Sequence, residues 1–143
     1  MNSYQTLSAY YDRFTDDVGY GQWAEFFRAA FLRGRTSGRS WCSIWPAARA
    51  CSARFWREMV SRPVEWIFPE GMIEIAKQRN PEISYEVADM ITYRPDEKFD
   101  LVTCTGDALN HIMRLEDMDR IFANVSAYLA EGGYFIFDIL NEK

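Results

Sequence analysis

Residues 93–106, Tyr93-Arg94-Pro95-Asp96-Glu97-Lys98-Phe99-Asp100-Leu101-Val102-Thr103-Cys104-Thr105-Gly106, decide the fold class. The opening six residues form a polar loop, and Phe99 to Cys104 form a strand. A sheet with one wet face writes alternating apolar and polar residues. This strand is instead a nearly continuous apolar run, which suits burial on both faces of a parallel sheet. Parallel neighbours need crossover connections, usually helices, so the reading depends on what flanks the strand.

Helical patterns stand on both sides. Residues 116–130 place Met118, Ile121, Phe122, Val125 and Leu129 on one stripe, with Asp117 and Asp119 favouring the N-terminal end. Glu131-Gly132-Gly133 stops this helix, because glycine accepts the left-handed cap. The apolar run 134–140, YFIFDIL, then reads as a further strand. Upstream, residues 83–90, ISYEVADM, alternate through Ile83, Tyr85 and Val87 and predict a short strand. Residues 71–79 predict a helix with Met72, Ile75 and Ala76 on one side, Pro69 and Glu70 suiting its first turn, and Asn80-Pro81 ending it. Residues 21–33 predict another helix, with Trp23, Phe26, Phe27, Ala30 and Phe31 on its apolar face. Strands alternating with covering helices imply an α/β class: a Rossmann-like parallel sheet with flanking helices.

Residues 34–69 break the pattern. They hold four of the five tryptophans, scattered arginines and no clean period. A doubly wound fold would carry its first strand, glycine-rich turn, first helix and second strand there, and that unit binds the nucleotide.

Composition narrows the function. A chain of 143 residues with 48% hydrophobic and 26% charged residues fits one globular domain, residues 1–143. A net charge of −5 gives no footprint for tracking a phosphate backbone, so no nucleic acid partner is expected. No apolar run spans a bilayer and the N-terminus has no signal-peptide pattern, so a cytoplasmic location is expected. Cys42, Cys51, Cys104 and the lone His111 suggest neither a disulfide framework nor a metal site. His111 reads as a loop or helix-start residue.

Five segments together resemble the class I S-adenosylmethionine-dependent methyltransferases, in that family's order. They are YYDRFTDDVGYGQWAEFF (10–27), PEGMIEIAKQRNP (69–81), EVADM (86–90), FDLVTCTGDALNHI (99–112) and LAEGGYFIFDI (129–139). The resemblance implies S-adenosylmethionine as cofactor and a small-molecule methyl acceptor. It implies no universal catalytic residue, since in-line methyl transfer gains much from positioning alone. For the cofactor, Asp89 is implied to face the adenine amino group, with Met90 packing on the ring. Cys104 and Asp107, with Thr105 and Gly106, fall at the end of the fourth strand. Tyr11, Tyr20 and Trp23 fall in an N-terminal lid. Asp107 and Asn110 could line the acceptor side, and Asp100 reads as structural. The bland alternatives are loop capping for Asp89 and Asp107, and core packing for the aromatics. The family continues through two more strands, so the fold is expected to be incomplete, with later strands absent.

The resemblance also places a motif of the type V-L-D-L-A-C-G-T-G near residue 41, where this chain has none. The genetic code suggests why. Reading the last base of each codon with the first two of the next, Trp41/Cys42 must give GTG, valine, and Trp45/Pro46 must give GCC, alanine. Met59/Val60 must give glycine, and Trp66/Ile67 must give GAT, aspartate. The remaining codons permit V-L-D-L-A-C-G-T-G-V-L-S-A-L-L-A-R-D-G-F-P-A-R-G-M-D-F-S. Residues 34–69 are therefore expected to be an aberrant segment replacing the glycine-rich cofactor loop, read in a shifted frame over roughly 35–69. The alternative is a divergent tryptophan-rich insertion. In the chain as it stands, Glu65 or Trp66 stands near the ribose position. Three functions stay open: a methyltransferase, an inactive remnant of one, or another Rossmann-type nucleotide binder.

Overall fold

The computed structural model describes residues 22, 25, 26, 29, 40–44, 62–67, 73–79, 81–104 and 108–141. Among the described residues there are five strands: β1 (Ser40–Ile44), β2 (Arg62–Ile67), β3 (Ser84–Val87), β4 (Phe99–Cys104) and β5 (Leu129–Phe137). Two helices, α1 (Ile73–Arg79) and α2 (Leu115–Tyr128), and a 3-10 turn at Ala108–His111 complete the described elements.

The strands form one sheet in the order β3-β2-β1-β4-β5, and every neighbouring pair is parallel. The chain winds outward from β1 through β2 to β3, then crosses back to place β4 on the other side of β1. This is the doubly wound α/β topology expected from the alternating pattern.

β4 behaves as its composition requires. Five of its six residues are buried, Asp100 alone being partly exposed. Val102 and Cys104 join Ile121, Val125 and Tyr128 of α2 in one core cluster. Leu101 and Thr103, at the alternate positions, are buried outside that cluster, so β4 is covered on both faces. Tyr128 meets Phe99 and Tyr93 edge-to-face at 6.3 and 6.5 Å. The Lys98 ammonium donates to the Ala127 carbonyl, where the helix presents carbonyls without an internal partner.

The region without a period still supplies two strands. β1 pairs with β2 and β4, and β2 pairs with β1 and β3. SWCSI and RPVEWI are too short for any period to show, yet they carry the tryptophan, isoleucine and valine that favour strands.

Other elements shift the expected faces. Ile73 and Ala76 are the buried residues described on α1; the apolar residues at 72, 73, 75 and 76 allow two overlapping helical faces. Val87 is 51% exposed because it ends an edge strand. On α2, Asn124 and Tyr128 are buried with Ile121 and Val125, whereas Phe122 is 39% exposed and packs on Phe135 and Phe137 at 5.6 and 5.3 Å. Leu129 already belongs to β5. Phe26, expected in a core stripe, is helical but 70% exposed.

The Glu131-Gly132-Gly133 break appears inside β5. Phe99 pairs with Leu129 and Leu101 with Tyr134, so residues 130–133 loop out of register. Gly132 takes a φ of 70°, which a side chain would disfavour. At Gly133 a Cβ would lie 2.9 Å from the Ala130 carbonyl oxygen and 3.1 Å from that of Asp100.

Candidate functional site: the carboxyl edge of the sheet

In an open α/β sheet, ligands bind outside the carboxyl ends of the strands at the point where the winding direction reverses. Here the reversal lies between β1 and β4. Strand register aligns the edge: Glu86 pairs with Trp66, Trp66 with Ile44, and Cys104 with Phe137, while Ser43 pairs with Thr103 one position earlier. The residues following this row form the rim of the candidate site.

On the β3 side, the chain turns sharply after Val87. The Ile91 amide donates to Asp89 Oδ1 at 2.8 Å, and the amides of Thr92 and Tyr93 donate to the Asp89 carbonyl at 3.1 and 2.9 Å. Asp89 therefore caps its own turn, the bland role open to it from sequence. Its side chain is nonetheless exposed, and a carboxylate can accept several hydrogen bonds, so capping leaves capacity for a ligand donor. Met90 is half-buried and packs against the core cluster.

Helix α2 locks this turn. Asn124 is 1% exposed, and its Nδ2 donates to the Ile91 carbonyl at 2.8 Å. Its Oδ1 has no partner. The sequence reading missed this residue. The available signal was a polar side chain at position 124, in register with Ile121, Val125 and Tyr128 on a buried stripe.

On the β4 side, Cys104 is fully buried. Burial, and then the nearby Asp138 carboxylate, push its thiol up to about 12. A neutral thiol in the core is no nucleophile, and its side chain offers nothing to a ligand at the rim. The Cys104 carbonyl accepts from the Asp138 amide at 3.3 Å, and Asn110 Oδ1 accepts from the Leu140 amide at 3.2 Å. These two bonds tie the 3-10 turn and the β4 end to the chain leaving β5. His111 is exposed in that turn. Tyr11, Tyr20, Trp23, Thr105, Gly106 and Asp107 lie outside the described residues. Glu65 pairs with Ser43 and Tyr85 inside β2 and Trp66 follows it, so neither lies beyond the strand's carboxyl end. Among the described residues, no group of three or more His, Cys, Asp or Glu is placed to hold a metal, and no helix is long and apolar enough to cross a membrane.

A sequence model of the Methyltransferase domain family matches residues 68–133, the span from the end of β2 into β5. Over these residues, a little under half of the chain, the sequence is similar to that family. Solved methyltransferases share the class I fold. An S-adenosylmethionine-dependent methyltransferase from Clostridium acetobutylicum superposes with a TM-score of 0.79 at 24% identity, over 96% of this chain and 58% of that one. An amino pentose methyltransferase from Micromonospora echinaspora, solved with S-adenosylmethionine bound, gives 0.77 at 20% identity, over 96% and 56%. A dTDP-4-amino-2,3,4,6-tetradeoxy-D-glucose N,N-dimethyltransferase from Saccharopolyspora spinosa is 29% identical over 69 residues, 48% of this chain and 28% of that protein. The chain thus spans little more than half the length of the solved relatives.

Proposed function

We propose that this protein serves S-adenosylmethionine-dependent methyl transfer to a small-molecule acceptor, an amino group on a sugar. The observation carrying the reading is the exposed Asp89 turn at the carboxyl edge of the sheet, hydrogen-bonded to α2, in a topology that binds nucleotides at that edge. The acceptor class rests on the amino-sugar methyltransferases among the relatives. A net charge of −5 argues against nucleic acid as acceptor and suits a cytoplasmic enzyme of small molecules.

The residues present fit one end of the cofactor. Asp89 would accept from the adenine amino group, and the half-buried Met90 would pack on the ring with its amide toward an adenine nitrogen. Bound there, the cofactor would supply an electrophilic sulfonium methyl group for an acceptor nitrogen. This chain's own residues hold and orient.

The other end does not fit. The fold needs a glycine-rich turn after β1 so that backbone can approach the ligand, and residues 45–61 contain no glycine, running Trp45-Pro46-Ala47-Ala48 directly after the strand. This favours a second reading for the chain as translated, a shell that keeps the adenine side and has lost the side for the amino-acid end. Amide shifts during titration test both. Adenosine and S-adenosylhomocysteine should perturb residues 89–93 with similar, weak affinity. No perturbation by either at millimolar concentration, or tighter binding of NADH, would overturn the methyltransferase reading.

A further inference from the structure

The misfit is confined to one segment, and the strand positions show what belongs there. We propose that residues 41–69 are the product of a coding sequence read one base out of register, whose other frame specifies the missing cofactor turn. The structure bears on this independently of the code, because the ends of β1 and β2 are set by the residues as translated.

β1 ends at Ile44 and β2 at Ile67. In the alternate frame the forced valine, from Trp41/Cys42, falls within β1. The forced alanine, from Trp45/Pro46, is the first position past its end. The glycines permitted at Ala47/Ala48 and Arg49/Ala50 follow within a few positions, the sequence order of a glycine-rich turn after a first strand. The forced aspartate, from Trp66/Ile67, falls on the last two residues of β2. A doubly wound nucleotide site calls for an acidic residue about twenty positions after the turn, to accept from the ribose hydroxyls. The present frame has Trp66 and Ile67 there and keeps its carboxylate, Glu65, inside the strand. One forced residue thus falls inside β1 and two meet the strand ends, in the order a cofactor site requires. A divergent insertion has no reason to produce that match.

The test reads bases the present protein leaves unconstrained. The alternate frame yields the strand aspartate and both turn glycines only if the codons for Ser43, Ala47 and Arg49 each end in guanine. Each such guanine is silent in the present frame. Sequencing the coding DNA across codons 33–71 should show guanine at all three positions and no stop in the alternate frame from codon 41 to codon 69. Any other base at one of the three, or a stop, would overturn the inference. A second measurement rests on the methyl-transfer reading. A chain carrying the alternate-frame translation of codons 41–69 should bind S-adenosylhomocysteine at least a hundredfold more tightly than the present chain. Guanines at all three positions without that gain would leave the frame inference standing and sink the methyl-transfer reading, so the two failures are distinguishable.

Discussion

Replacing Asn124 by leucine separates its role in the core from its role at the site. The side chain is 1% exposed, with Nδ2 bonded to the Ile91 carbonyl and Oδ1 without a partner. Losing the hydrogen bond costs about 1 kcal/mol, because the carbonyl it serves is only partly buried. Removing the unpaired buried oxygen returns about 1–3 kcal/mol of desolvation. Leucine has nearly the same volume, so little cavity forms. Global stability in urea should therefore change by no more than about 2 kcal/mol. The turn, however, loses its side-chain hydrogen bond from α2 and keeps only packing contacts such as Tyr93 on Tyr128. Hydrogen exchange at the amides of Ile91, Thr92 and Tyr93 should quicken about fivefold, the equivalent of roughly 1 kcal/mol. Exchange in the buried strand β4 should shift only as far as global stability does. Asn124→Asp, of the same shape, places an unpartnered carboxylate in the core and should cost several kcal/mol at neutral pH. Unchanged exchange at residues 91–93 in Asn124→Leu would refute the reasoning.

Three further outcomes are expected. Gly133→Ala should destabilise the domain by about 1–3 kcal/mol in denaturant titration, since the new Cβ meets two backbone carbonyls that cannot move without disturbing β4 and β5. In the folded chain the Cys104 thiol keeps its proton to about pH 12, while the unfolded chain releases it from about pH 9. Stability should therefore fall with rising pH across that window, by about 1.4 kcal/mol per unit relative to Cys104→Ala. Helix α2 begins at an extended Arg114 whose side chain makes no cap. Arg114→Ser should add about 0.5–1 kcal/mol, giving up only an exposed ion pair with Glu116 and raising the melting temperature.

The fold was legible where composition constrains burial. Phe99–Cys104 could only be a strand covered on both sides, and it pins the sheet. The faces of shorter elements were not legible. Adjacent apolar residues at 72, 73, 75 and 76 leave the face of a two-turn helix undecided, and the edge position of β3 exposes a valine that alternation would bury. β1 and β2 could not be read because five or six residues carry no period. Their neighbours specify them. Of the site, the ADM motif marked the turn at Asp89, whereas Asn124 was hidden by its place on an apolar stripe 33 residues away. For Cys104, a position at a strand's carboxyl end says nothing of whether the side chain faces ligand or core. Here it faces the core.

The account turns on Asp89, and adenosine affinity of Asp89→Asn against the parent chain tests it most directly. Asparagine keeps an oxygen to cap the Ile91 amide, so the turn and its stability should be preserved within about 0.5 kcal/mol. Its second side-chain atom is a donor and cannot accept from the adenine amino group. Loss of one charge-assisted bond of about 1.5 kcal/mol predicts adenosine binding weakened about tenfold. Equal affinity in the two chains would contradict the account, because the exposed carboxylate would then be a turn cap and nothing more.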